Sequence, residues 1–176
     1  MNLHGFIVNS IRQSTLQVFS TMLGVDIEPL GFTLEDGTPN ANDGVVSLIG
    51  LAGAWAGTGS VTCSPALACR ICATMLMTDT PSVNEEVLDA VAELTNMIIG
   101  NVKTDLEIET GPLGLSIPTV VFGKNFKTKS AGHAEWLVMP FRWDEEILTV
   151  KLCLAAREKP THVFNHTQSQ VCTLEV

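Results

Sequence analysis

The chain has 176 residues, of which 45% are apolar and 16% charged, a globular composition long enough for one domain with a substantial core. A net charge of −9 excludes a surface built for nucleic acid or anionic membrane, which needs a basic patch. No apolar run reaches the roughly 20 residues that cross a bilayer, and MNLHGFIVNSIRQS lacks the basic start, apolar stretch and cleavage site of a secretory leader; the expected compartment is the cytoplasm.

The first predicted element is an amphipathic helix from about Phe6 to Leu23, with Ile7, Ile11, Val18 and Met22 at core spacing beside Val8, Thr15 and Phe19. Gly24 is placed to stop it in a left-handed conformation. A short strand, Val25 to Leu30, leads into the polar, turn-rich Thr33 to Gly44. Val45 to Gly53 and Thr58 to Cys63 read as a hairpin turning at Ala54 to Gly57. Its glycines do not form a phosphate loop, because no G-K-[S/T] follows and no helix starts at them. Ser64-Pro65 opens a second helix, a serine N-cap followed by a proline at the first turn, running to about Met77.

The next stretch, Ser82 to Lys103, organises the rest. Ser82 with Glu85 three residues on fits a capping box, and Glu85, Glu86 and Asp89 crowd the helix start, where the macrodipole favours acid. At about 100° per residue, Val87, Val91, Leu94, Ile98 and Val102 share one side, flanked by Leu88, Thr95 and Ile99. The opposite side carries Glu86, Asp89, Glu93, Asn96, Gly100 and Lys103. Most such faces are simply solvated, but here Gly100 costs about 1 kcal/mol relative to Ala and Asn96 is a mediocre helix former. Gly100 leaves room for another molecule's backbone beside Glu93 and Asn96, and Met97 adds an adaptable apolar contact.

Leu106 to Ile108 and Ser116 to Phe122 are expected as strands, followed by a loop bearing Lys124, Lys127 and Lys129. Ala134 to Trp143 and Ile147 to Ala156 form a second hairpin turning at Asp144-Glu145. Residues 157–176 read as a polar tail or late edge strand. Five cysteines in this spacing make no disulfide framework. Cys69-x-x-Cys72 with His162 and His166 draws a zinc set on paper, but 89 residues intervene, and Leu67, Ile71 and Met75 put Cys72 beside a core face. Small buried hydrophobes are the better account, and no metal site is expected. Setting Gly24 on Gly100, a shift of 76, brings Gln17 onto Glu93 and Ser20 onto Asn96, and each half then reads helix, short strand, connection, hairpin.

The run Asp89 to Leu106, with Glu93-x-x-Asn96 followed by apolar residues and Gly100, resembles the signature helix of the CheC/CheX/FliY chemotaxis phosphatases. VFSTMLGV (Val18 to Val25), VVSLIGLAG (Val45 to Gly53) and LSIPTVVFG (Leu115 to Gly123) resemble their CheX counterparts, and the likeness covers roughly Asn9 to Ala156. It implies an α+β fold: pseudo-duplicated helix–hairpin units, with two long helices packed on a largely antiparallel sheet in one domain over 1–156. It also implies a homodimer, through sheet edges as in CheX. CheC-like members carry the acid–amide pair in both halves; Gln17 and Ser20 in the first half make this chain CheX-like, with one site.

The implied reaction is hydrolysis of the aspartyl phosphate of a CheY-type response regulator. Glu93 and Asn96 are its expected catalytic residues, with Glu86, Asp89, Met97 and Gly100 as partner contacts. The regulator brings its own Mg²⁺ and lysine, so the chain needs no cofactor of its own. Two other classes stay open. One is a phosphorylation-dependent binding or switch-complex module without turnover; the other is a thiol or metal protein using Cys69, Cys72, His162 and His166.

Overall fold

A computed structural model describes residues 3–36, 41–128 and 135–156. Helix α1 (Leu3–Val18) continues without a break into a π-helical turn, Phe19–Leu23. Strands β1 (Glu28–Pro29), β2 (Thr33–Glu35), β3 (Ala41–Gly53) and β4 (Trp55–Cys63) follow. Helices α2 (Pro65–Leu76) and α3 (Glu85–Thr110) come next, then β5 (Leu113–Leu115), β6 (Thr119–Lys127), β7 (Trp136–Trp143) and β8 (Glu146–Ala156). The eight strands form one sheet in the order β1-β7-β8-β4-β3-β5, with β2 also on β7 and β6 also on β3. Every pairing is antiparallel. This is the expected α+β architecture.

The faint repeat is visible in how the strands pair. Each half runs helix, two short or edge strands, then a hairpin. The strands that follow α1 pair with β7 in the second half. Those that follow α3 pair with β3 in the first half. The two hairpins meet along β4 and β8, with Val61 opposite Val150. The halves are therefore joined crosswise.

The helices cover one face of this sheet and share a single core with it. Ile11, Phe19, Leu67, Ile71, Leu94, Ile98 and Ile99 from the helices meet Ile49, Val61, Met139, Phe141 and Leu148 from the strands. Phe19 packs edge-on against Trp143, ring centroids 5.9 Å apart. Arg70 of α2 lies over the same Trp143 ring and holds the β7–β8 turn: its guanidinium is 3.9 Å from the ring centre and 2.5 Å from Asp144. At the start of α2, the Ser64 hydroxyl accepts from the Leu67 N–H at 3.0 Å and donates to Glu146 at 2.7 Å. The expected serine cap holds.

Several boundaries differ from expectation, each for a local reason. The π turn takes five residues where an α turn takes four, so the inward position after Val18 falls on Leu23, and Met22 is 50% exposed. Gly24 does end the helix left-handed, at φ 67°, its N–H donating to the Phe19 carbonyl. Apart from Asp36, the part of Thr33 to Gly44 read as loop is strand where described: β2 pairs residue for residue with β7, and Glu35 reaches Lys151 at 3.4 Å. Gly44 (φ 113°) sits at a bulge between β3 and β6, where a Cβ would come within 2.5 Å of the Cys63 carbonyl oxygen. The strand expected from Ser116 begins at Thr119 and runs to Lys127, so Lys124 and Lys127 lie on β6 and not in a loop. Lys129, the tail 157–176 and its His162 and His166 lie outside the described residues. Cys72 is fully buried and Cys69 half-buried on α2.

Candidate functional site

The candidate site is a single face of α3. Asn84, and not Ser82, caps this helix: its side-chain oxygen accepts from the Val87 N–H at 3.0 Å. The capping box is not made, because the first helical residue is Glu85. The helix also runs on past Lys103 to Thr110, overturning the strand expected at Leu106 to Ile108. Ile98, Val102, Leu106 and Thr110 continue the inward stripe at intervals of four, all buried. Lys103 and Glu107 bridge one turn at 2.8 Å, and the Ser10 hydroxyl of α1 donates to Asp105 at 2.6 Å. Glu107 then accepts from the Leu113 N–H at 2.8 Å. That N–H and Lys103 together hold its carboxyl below the ordinary range.

With its inner stripe buried against the sheet, α3 has its outer face fixed. The expected core residues Val87, Val91, Leu94, Thr95, Ile98, Ile99 and Val102 are all buried, and Leu88 is half-buried. Glu86, Asp89, Glu93 and Asn96 are exposed; Met97 and Gly100 are half-buried. Glu93 and Asn96 lie three residues apart, a rise of about 4.5 Å, and both project from the same side of the helix. Among the described residues neither makes a side-chain hydrogen bond or ion pair, and the same is true of Glu86 and Asp89. The nearest basic residue along the helix, Lys103, is committed to Glu107. An acidic ridge without its own cations therefore leads to a free amide.

Met97 packs against the edge of the core, which gives the ridge an apolar floor. A Cβ on Gly100 would meet only Leu115 Cδ1, at 3.9 Å. The glycine is thus not forced by the chain's own packing. Leu115 of β5 belongs to this floor, and nothing in its sequence context distinguished it from an ordinary strand residue.

A second feature lies on the equivalent helix of the first half. Gln13, Leu16, Gln17 and Ser20 of α1 and its π turn, with Asp26 and Ile27 beyond it, line an open cleft of about 550 Å³. Gln17 and Ser20 are exposed, and the Ser20 hydroxyl turns back to its own helix, donating to the Gln17 carbonyl at 3.4 Å. The shift that aligns these two with Glu93 and Asn96 breaks down at the helix ends, since the first helix closes at Gly24 while α3 continues beyond Gly100.

Among the described residues, no three His, Cys, Asp or Glu side chains are grouped to hold a metal ion. Burial, with Glu146 and Cys69 nearby, pushes the Cys63 thiol up to about 12. Burial also raises Cys69, with Cys72 beside it. These are poor nucleophiles. Among the described residues, no helix is long and apolar enough to cross a membrane.

Two long helices, α1 and α3, on an antiparallel sheet built from crosswise halves, with an acid–amide pair on one of them, define a CheC/CheX-like protein. The structure of a CheC-like superfamily protein from Shewanella sp. PV-4 superposes with a TM-score of 0.76 at 30% identity, covering 88% of this chain and 99% of that one. The chemotaxis protein CheX of Vibrio vulnificus gives 0.75 at 29% identity, covering 85% and 99%. A Borrelia burgdorferi CheX, solved as a complex with CheY, BeF3 and Mg²⁺, shares the fold at 0.66 and 24% identity, covering 84% and 96%. No curated protein matches. The family model for chemotaxis phosphatase CheX matches residues 45–142, more than half of the chain, and the chain belongs to that family.

Proposed function

We propose that the chain hydrolyses the aspartyl phosphate of a CheY-type response regulator, with Asn96 and Glu93 in separate roles. The observation that carries this reading is the exposed, unpartnered Glu93–Asn96 pair on a rigid helix of a CheX family member. The Borrelia CheX of the same fold, solved with CheY, supports the choice of partner.

An acyl phosphate is already reactive, and the regulator supplies its own Mg²⁺ and lysine. What remains is to hold a water in line with phosphorus. A neutral amide donates to and accepts from that water without adding charge beside the phosphoryl group, and Asn96 does this. The new O–P bond forms from water as the bond from phosphorus to the aspartyl oxygen breaks. Inorganic phosphate leaves, and one proton passes from the water to phosphate or solvent. Glu93 is the docking residue: it pairs with the regulator's active-site lysine, since a carboxylate beside the phosphate would be repelled. Glu86 and Asp89 extend that attraction along the ridge, while Met97 and Gly100 let the partner's backbone approach. No resident cofactor takes part in this scheme.

The test follows decay of a phosphorylated CheY-type regulator with wild type, Asn96→Ala and Glu93→Ala. Wild type should turn over many equivalents; Asn96→Ala should bind without hydrolysing; Glu93→Ala should weaken binding. A wild type that binds stoichiometrically without accelerating decay would instead establish a binding module.

A further inference from the structure

The two strands that follow α3 form one edge of the sheet with a step in the middle. Among the described residues, β5 and β6 pair only with β3. Leu115 stands opposite Leu51, and Ser116 continues that register, its N–H donating to the Gly50 carbonyl at 2.9 Å. Thr119 stands opposite Leu48. Ile117 and Pro118 therefore share the single partner position of Ile49, which makes the step a β-bulge. Ser116 clamps it. Its hydroxyl accepts from the Gly50 N–H at 2.8 Å and donates to the Ile117 carbonyl at 3.0 Å.

Alternation forward from Leu115 puts Ile117 on the helix-covered side of the sheet, and alternation back from Val120 puts Pro118 there too. Leu115 and Val120 pack against the core. Ile117 does not: it is 88% exposed, and Phe122, two residues beyond Val120 on the same side, is 50% exposed. This apolar stripe joins the outer face of α3, because Leu115 Cδ1 lies 3.9 Å from the place of a Gly100 Cβ. Along the contact, α3 runs antiparallel to the strand, from Glu107 on the Leu113 N–H back to Gly100 beside Leu115. Two strand residues beyond Leu115 advance about 6.6 Å, and the four helical residues from Gly100 back to Asn96 about 6 Å. The same course therefore carries Ile117 toward Asn96.

We infer that Ile117, held out by this bulge, is an apolar anchor for the receiver domain that docks on α3. The docking surface is then an acidic ridge with an apolar shelf beside it. This rests on the function proposed above for α3. The continuity from Gly100 through Leu115 to Ile117 makes the receiver the occupant. A strand from a second copy does not fit at this point, because the bulge breaks the row of edge groups and Pro118 has no N–H to offer. The Ser116 clamp fixes the backbone beforehand, so little ordering is lost when the side chain is covered. The matching receiver presents an apolar patch beside its active-site lysine.

The experiment is calorimetric titration of the full chain with a purified CheY-type receiver activated by beryllofluoride and Mg²⁺. Wild type, Ile117→Ser, Ile117→Leu and Glu93→Lys are compared, with sedimentation to read the oligomeric state. Ile117→Ser should weaken receiver binding about tenfold, as loss of a buried anchor does, while Ile117→Leu keeps affinity within about threefold of wild type. Equal affinity of Ile117→Ser and wild type, with binding lost in Glu93→Lys, overturns the inference and leaves the α3 reading intact. No binding to wild type overturns the α3 reading, and this inference with it. A change of oligomeric state in Ile117→Ser overturns it as well, assigning the shelf to a contact between copies. Steady-state dephosphorylation gives an independent readout. Ile117 touches neither phosphate nor water in this arrangement, so Ile117→Ser should raise KM about tenfold at unchanged kcat; a fall in kcat at unchanged KM counts against the inference.

Discussion

Gly59 of β4 lies directly beneath α3, and replacing it tests whether that helix is held as closely as the structure requires. A Cβ at Gly59 would fall 2.8 Å from both Cδ1 and Cγ1 of Ile99 and 2.9 Å from its Cγ2. Three of the four side-chain carbons of one residue are therefore in the way. A β-branched side chain in a helix has essentially one χ1 state, so rotation cannot clear them. Either α3 lifts from the sheet or the core around it shifts. Overpacking of this kind costs about 1–3 kcal/mol, which for a domain of this size lowers Tm by about 2–4 °C per kcal/mol.

The assay is a double-mutant cycle with Ile99→Ala, read by denaturant unfolding. Ile99→Ala alone should cost about 2–5 kcal/mol, because Ile99 is fully buried. In that background the new methyl enters vacated space, so Gly59→Ala should become neutral or stabilising. The expected coupling is at least about 1 kcal/mol. Equal cost of Gly59→Ala in both backgrounds would refute the claimed contact. Because α3 presents Glu93 and Asn96, the single variant should also lose the phosphatase activity proposed above and the double variant regain part of it.

Gly100→Ala should raise stability by about 1 kcal/mol through helix propensity, since its Cβ meets only Leu115 at 3.9 Å. The same methyl should weaken receiver binding, and unchanged affinity in calorimetry would remove Gly100 from the contact. Cys63 makes stability fall in alkali: its folded pKa of about 12 lies above the ordinary thiol value of 9.0, so the folded state keeps a proton that the unfolded chain releases. Its contribution is complete below pH 9 and is lost from there to pH 12 at about 1.4 kcal/mol per pH unit. The difference in unfolding free energy between wild type and Cys63→Ala should shrink over that range; a constant difference would show that burial does not govern the thiol.

What the sequence disclosed was mostly what periodicity and capping encode. The inner stripe of α3, the Ser64 cap and the Asp144-Glu145 turn each rest on contacts within a few residues, so local pattern suffices. The far end of α3 was hidden because Leu106, Ile108 and Thr110 alternate like a strand. Only the Ser10–Asp105 bond and the buried positions of Leu106 and Thr110 reveal the period of four. The Asn84 cap was hidden behind an equally good serine. Met22 was misplaced by a π turn, which leaves no pattern of its own. For the candidate site, the shared exposed face of Glu93 and Asn96 was legible from their helical spacing. The cleft at Asp26 was not, since it joins residues from a helix and from the chain beyond it.

The crosswise pairing of the strands makes each half a donor to the other. A gene split in the connection between α2 and α3 would yield two fragments with complementary deficits. The first would carry β3 without β5 and β6 along its side, and the second would carry β7 without β1 and β2. Neither is a smaller version of the whole, and mixing them should behave as reconstitution from two parts. Neither half can be removed without stripping paired strands from the other's hairpin. The first half is thus a scaffold for the second through β3, which pairs with both strands that follow α3.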